Sequence, residues 1–370
     1  MATRPNGGNE YAPDSVSPPG ATLQDVLDER GMTQADLATR TGRTPKLVNE
    51  VIKGKAPITP ATALQLERAL GIPAGFWSNR ERQYREALAR QEEGERLEEG
   101  LGWLDRFPVS AMARRGWIRK CRDGVDQLRE VLSFFGVASP EAWDKHWGQA
   151  EVSYRKSRAF EADRYALAAW LRRGEIEGQA LECAPYDAGR FRSVLSEVRA
   201  LTVEPPEVFR PRLVEKCASC GVAVVFVPSP PKTRASGATR WLGPAKALIQ
   251  LSLRYKKDDR FWFTVFHESG HVLHDSKKGV FIEADEPRDG QEEWADGFAS
   301  EFLVPERDLD AFVASCRERG RFPGKAAIRA FAVAQGVAPG VVVGRLQHRG
   351  DLPWDHCNDL KRTFEWAGVL

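Results

Sequence analysis

The chain has 370 residues, more than one typical domain holds, so several compact units with their own cores are expected. Hydrophobic side chains make up 42% of it, enough for globular packing, and no apolar run approaches the roughly 20 residues that span a bilayer. A net charge of +2 does not by itself predict nucleic-acid binding, and the six dispersed cysteines show no disulfide framework, so reduced thiols and a cytoplasmic setting are expected.

Residues 1–20 are rich in Pro, Gly, Asn and Ser and read as a disordered arm. Order is expected from about Thr22, where Leu23, Val26 and Leu27 share a helical face that Gly31 ends. Thr33 caps a second helix carrying Leu37 and Ala38, and Gly42 breaks it. Thr44-Pro45 and Thr59-Pro60 then open a third and a fourth helix, each with Thr as N-cap and Pro at the first helical position. A fifth helix near Ala74 to Trp77 completes a domain over 21–78.

From 79 to 215 the sequence reads as a helical connector and middle region: a charged stretch to about Glu99, then helices such as Leu128 to Phe135 and Tyr165 to Leu171 between Pro and Gly stops. Its function is not legible. Cys217-Ala-Ser-Cys220 is a lone C-x-x-C and reads as a buried helix-to-strand junction. Gly221 to Val227 and Ala247 to Leu253 are strand candidates. Asp258-Asp259 is expected to cap a helix that begins near Arg260 and runs through His274. The resulting fold class is multidomain and mainly α, with a five-helix N-terminal domain and a small α+β unit over 216–305. Residues 306–370, with Ile328, Phe331, Val341 to Val343 and Leu346, read as a C-terminal helical bundle.

That last long helix holds the pentapeptide His267-Glu268-Ser269-Gly270-His271, and three of the chain's six histidines fall between His267 and His274. Residues four apart face the same way on a helix, so His267 and His271 can reach one ion while Glu268 sits one step round. This geometry suits catalytic Zn2+, with Glu268 as general base. Such a site needs a third protein ligand and an open position for water, whose pKa the ion lowers to about 7. Glu283, Glu286, Glu292, Glu293 and Glu301 are the downstream acids considered. In the segment Glu292 to Val304 the buried stripe Ala295, Phe298, Ala299, Phe302 and Leu303 turns Glu292 inward and Glu293 away. Asp296 follows Glu292 by four residues and is expected behind a ligand histidine, accepting its second N–H. His274 is expected beside the site rather than as a fourth ligand. Tyr255, His274 and His348 remain open as donors to a developing oxyanion.

Upstream, Thr33 to Ala38, Thr41-Gly42 and the helix from Thr44 to Lys53 have the offsets of a helix-turn-helix whose third helix reads double-stranded DNA. Between Arg40 and Lys55 five basic residues stand against the single acid Glu50. Thr44, Lys46 and Asn49 are expected toward base edges, and Gln34, Arg43, Lys53 and Lys55 toward phosphates. A homodimer on paired half-sites is expected if an operator is the ligand.

Two resemblances follow from these residues. The stretches GMTQADLATRTG and VIKGKAPITPATALQLERALGIPAGFW resemble the Xre-family helix-turn-helix of HigA-type antitoxins, with Arg43 and Pro45 departing from that pattern. The stretches RFWFTVFHESGHVLH and EEWADGFASEFLVP resemble the ImmA/IrrE family of metallopeptidases. The second resemblance implies a zincin-like fold, His267, His271 and Glu292 as metal ligands, Glu268 as catalytic base, and a helix-turn-helix repressor or antitoxin as substrate. The expected function is a DNA-binding regulator with zinc-dependent endopeptidase activity in a toxin–antitoxin or stress-response circuit. The alternative is a non-proteolytic antitoxin and autorepressor that binds a toxin protein and uses the zincin unit as a sensor or scaffold. No membrane partner is expected.

Overall fold

A computed structural model of the chain describes residues 17–154, 163–274, 280–282, 290–318 and 322–366. Residues 1–16 of the expected arm, and Glu283 and Glu286 among the acids considered as metal ligands, lie outside the described residues. The chain divides into two compact units, Met1–Gly100 and Leu101–Leu370.

The first unit is built from α1 (Pro19–Glu29), α2 (Gln34–Thr41), α3 (Pro45–Ile52), α4 (Pro60–Leu70) and α5 (Ala74–Glu99). The caps are local chemistry. Thr33 accepts from the Asp36 amide at 3.1 Å while Asp36 accepts from the Thr33 amide at 3.1 Å, a capping box that satisfies two otherwise orphaned donors. Thr44 and Thr59 likewise accept from the amides of Leu47 and Thr62, each at 3.2 Å. Gly42 ends α2 at φ +65°, a left-handed conformation that a side chain would strain. Leu23, Leu27, Leu37, Val51, Leu66, Leu70 and Trp77 form the core.

Two expectations need correction here. Pro19 and Gly20 belong to α1 and are buried, so the arm is shorter than 20 residues. The fifth helix is not short: α5 runs for 26 residues, and the boundary expected at residue 78 falls inside it. Glu81 holds its first turns by accepting from the Ile58 amide at 3.0 Å while pairing with Arg85 at 2.7 Å.

The second unit opens with helices α6 (Val109–Arg114), α7 (Gly124–Phe135), α8 (Pro140–Tyr154), α9 (Arg164–Ala180), α10 (Ala188–Ala200) and α11 (Pro206–Ala218). It continues through β1 (Val222–Phe226), β2 (Gly237–Gly243), β3 (Lys246–Leu251), α12 (Asp258–His274), β4 (Val280–Ile282) and α13 (Gly290–Leu303). It closes with α14 (Glu306–Glu318), α15 (Lys325–Gln335) and α16 (Pro339–Arg349). The architecture is therefore mainly helical around one small sheet, whose strand order is β1-β3-β2-β4. β1 and β3 run parallel with Val224 opposite Ile249. β2 is antiparallel to both β3 and β4, with Thr239 opposite Ile249 and Phe281.

Sequence patterning finds β1 because it is a continuous apolar run, and β3 because Ala247, Leu248, Ile249 and Leu251 are interrupted only by Gln250; both strands are largely buried on both faces. It misses β2, whose Gly-Ala-Thr-Arg-Trp-Leu-Gly has no sustained alternation, and β4, three residues long and too short to show a period. Helix α9 packs on the sheet, where the Trp170 indole donates to the Val227 carbonyl at 2.9 Å and Gln250 donates to the Trp170 carbonyl at 2.7 Å. α12 and α16 bring Phe261, Trp262, Val265, Phe266, Val342, Val343 and Leu346 into the same core as β1 and β3. The helices after residue 306 thus share the hydrophobic core of the helix that carries the histidines.

Candidate functional site

Helix α12 is almost wholly buried, and two ion pairs hold its start. Asp258 and Asp259 lie inside its first turn, not before it, which corrects the expected helix start near Arg260. Asp258 meets the Arg362 guanidinium at 3.1 Å and Asp259 meets Lys361 at 2.6 Å, with Lys361 and Asp259 each less than a tenth exposed. Burial pushes the Asp258 carboxyl up, against the hydrogen bond and charge of Arg362 that pull it down. Arg362 also donates to the carbonyls of Thr202, Val203 and Glu204, and the Asp258 amide donates to the Arg362 carbonyl at 3.0 Å. Lys361 and Arg362 escape motif reading; the one sequence hint is a basic doublet that matches an acidic doublet a hundred residues earlier.

Two turns into this helix, His267 and His271 point their Nε2 atoms at each other, 3.1 Å apart, and α13 supplies the third group. Glu292 Oε2 is 3.2 Å from His267 Nε2, and Glu292 Oε1 is 3.3 Å from His271 Nε2. A tetrahedral ion with ligand bonds of about 2.0 Å has ligand–ligand edges of about 3.3 Å, so these donors stand at the separations such an ion requires. Among the described residues these three form the group of His, Cys, Asp and Glu that could hold a metal ion.

Behind the first histidine, Asp296 Oδ1 lies 3.0 Å from His267 Nδ1. An ionised carboxylate only accepts, so this bond puts a ring proton on Nδ1; Nε2 faces Glu292 and His271, and with an ion bound it would give up any proton it shares with Glu292 and present its lone pair to the metal. Burial opposes ionisation of Glu292, but the hydrogen bonds and charge of His267 and His271 outweigh it and pull its carboxyl down to about 2. A carboxylate ionised across the physiological range beside two imidazoles is a donor set matched to a borderline cation such as zinc.

Glu268, between the histidines, is fully buried against β2. The Thr239 hydroxyl donates to its Oε2 at 2.6 Å and lies 3.2 Å from its backbone carbonyl. The strand can approach this closely because residue 237 is glycine: a Cβ there would come within 2.5 Å of Glu268 Oε1. Thr239 is a site residue that sequence reading missed, since it sits on an unforeseen strand. Glu293 lies on the more exposed side of α13, and His274 packs its ring 4.5 Å from that of Trp294.

In the first unit, the residues expected on DNA are distributed over α2, α3, the turn between them and the turn after α3. Lys46 and Lys53 are exposed, and Lys46 lies 3.9 Å from Glu50. Other candidates already serve the fold. Gln34 donates to Gln24 at 2.8 Å, Arg43 donates to Gln65 at 2.7 Å, and the Thr44 oxygen caps α3. Asn49 is half-buried on α3.

Residues 23–77 match the Helix-turn-helix family, and residues 217–318 match the IrrE N-terminal-like domain. No curated protein matches the chain. Among solved structures, a putative antidote protein of a plasmid maintenance system from Nostoc punctiforme is 30% identical, with a TM-score of 0.22 over 22% of this chain and 90% of that one. The Pseudomonas aeruginosa antitoxin HigA, solved with the higBA promoter, is 28% identical, with a TM-score of 0.22 over 23% of this chain and 94% of that one. An addiction module antidote protein of a HigA family from Coxiella burnetii is 26% identical, with a TM-score of 0.21 over 22% of this chain and 90% of that one.

Proposed function

Because this chain joins a segment that matches the Helix-turn-helix family to one that matches the IrrE N-terminal-like domain, we propose that it is a DNA-binding regulator that is also a zinc-dependent endopeptidase. Its substrate is a helix-turn-helix repressor or antitoxin, and its setting is a cytoplasmic toxin–antitoxin or stress-response circuit. No single described helix is long and apolar enough to cross a membrane. The observation that carries the reading is the convergence of His267, His271 and Glu292 beside Glu268.

His267, His271 and Glu292 would hold the ion, which when bound supplies Lewis acidity to the scissile carbonyl and acidifies water. Asp296 keeps the His267 ring in the tautomer that presents Nε2. The Glu268 carboxylate accepts the proton of the attacking water and delivers it to the departing amide nitrogen. Thr239 restrains that carboxylate, and the fully buried setting makes its charge interactions stronger than they would be in water. The helix-turn-helix would act as a homodimer on an operator duplex, with Lys46 toward base edges and Lys53 and Lys55 supplying phosphate contacts.

The test is cleavage of a candidate repressor by the zinc-loaded chain, followed by gel and mass spectrometry, beside Glu268→Gln. Loss of cleavage in the variant, with unchanged zinc content and circular dichroism, is expected. Equal cleavage by both proteins removes Glu268 from the mechanism. Absence of cleavage by either, with operator binding and toxin neutralisation retained, replaces the peptidase with an antitoxin that uses this unit as a scaffold.

A further inference from the structure

We propose that the surface around Arg260 is a docking subsite for an acidic segment of the polypeptide presented to the metal centre; the proposal rests on reading that centre as a peptidase site. Three side chains define it. Tyr255 and Trp354 are large aromatic residues left 41% and 57% exposed. The Arg260 guanidinium lies between them, 5.5 Å from the Tyr255 ring centre and 5.9 Å from that of Trp354. Tyr, Trp and Arg are the residue types that carry most binding energy at protein interfaces, and here they share one exposed patch.

The patch is also cationic. Lys256, Lys257 and Arg260 fall within five residues, and the two acids between them are already matched: Asp258 by Arg362 and Asp259 by Lys361. The Lys257 ammonium donates to the Thr363 hydroxyl at 2.9 Å, a neutral acceptor, and makes no ion pair among the described residues. Asp355, next to Trp354 in sequence, is exposed. Among the described residues of this stretch the surplus is positive.

Placement relates the patch to the histidines. Arg260 precedes His267 by seven residues, two helical turns, so the two lie on one face of α12 about 10 Å apart along its axis. Half-buried Phe263 lies between them, its ring centre 6.0 Å from that of His267. An extended peptide covers that distance with about three residues. A chain whose scissile bond sits at the histidines would therefore bring residues about three positions away onto Arg260.

A single-stranded nucleic acid would meet the same charge, but its bases need open ring faces on which to stack. The Tyr255 ring already carries the guanidinium of Arg254 at 4.9 Å as well as that of Arg260. Guanidinium forks held against rings suit carboxylates better than bases.

The test uses the full-length Glu268→Gln protein, so that binding is read without turnover. Its probe is a fluorescein-labelled peptide of sequence Glu-Glu-Leu-Glu-Glu-Leu, followed by anisotropy. Binding is expected to weaken at least about tenfold in Arg260→Glu and in Trp354→Ala, both exposed positions, and with a probe in which Gln replaces Glu. Unchanged affinity in both variants overturns the proposal. So does a ten-nucleotide oligo(dT) that binds more tightly than the peptide and is lost with the same substitutions. If the wild-type protein cuts no member of a mixed peptide pool while the acidic probe still depends on Arg260 and Trp354, the peptidase reading fails and the docking surface stands.

Discussion

Asp296 Oδ1 lies 3.0 Å from Nδ1 of His267, while Nε2 of the same ring faces Glu292 Oε2 at 3.2 Å. One imidazole is thus gripped at both nitrogens by carboxylates four residues apart on α13. If its Nε2 is a metal ligand, Asp296 sets the tautomer and basicity of that ligand. Asp296→Asn is expected to lower zinc affinity by about 10- to 100-fold without unfolding the protein, as measured by competition with a chromophoric chelator. An unchanged affinity would show that the contact is structural.

Metal content gives a more direct measurement. The wild-type protein dialysed against zinc is expected to retain one equivalent by mass spectrometry of the ion, and His267→Ala to retain none. Because an ion bound only by the folded state stabilises it, the wild type should also melt at a higher temperature with zinc than with chelator, and the variant should not. Equal zinc content in the two proteins would refute the ligand assignment.

The Glu292 carboxyl, held at about 2 by the two histidines, makes the stability of the metal-free protein depend on acid. Its folded value is below the ordinary 4.5, so the unfolded chain binds the proton more readily and stability is lost as pH falls. The contribution is fully present above pH 4.5 and disappears as pH approaches about 2. Urea unfolding of the chelator-treated protein between these limits should show this slope, and Glu292→Gln should flatten it.

Lys361 and Asp259 form an ion pair in which each partner is less than a tenth exposed. Lys361→Met would leave the Asp259 charge buried and uncompensated at the start of α12, a change that typically costs about 3–5 kcal/mol. A fall in stability of that size in urea is expected, and the double variant Lys361→Met with Asp259→Leu should recover much of it. No destabilisation in the single variant would mean that water replaces the lysine.

On the helix-turn-helix, Lys53 is exposed next to the turn that ends α3. Lys53→Ala is expected to reduce the slope of log affinity against log salt by about 1 on an operator duplex, with sequence preference unchanged. An altered base preference would place Lys53 in the groove rather than on a phosphate.

The helices of the first unit were legible because their caps and stops are local chemistry. Thr33, Thr44 and Thr59 bond to amides three residues on, and Gly42 needs only its own dihedral angles. The same holds for the facing of His267 and His271, which follows from a 3.6-residue repeat, and for Glu292 with Asp296 on one side of a second helix. These relations span at most four residues, so periodicity reaches them. The strand β2 was not legible, since its residues are selected by β3 and α12 rather than by an alternation of their own.

What the amino-acid order determined alone was therefore the helices of the first unit up to α4, the histidine-bearing helix, strands β1 and β3, and which helical side chains share a face. Tertiary structure decided the rest: that Glu292 lies within 3.3 Å of both histidines, that Thr239 holds Glu268, and that Lys361 and Arg362 anchor a helix a hundred residues earlier. The physical reason is that hydrogen bonds and ion pairs between distant segments depend on where the hydrophobic core brings those segments, and burying Phe261, Trp262 and Phe266 against α16 and the sheet is a property of the whole unit.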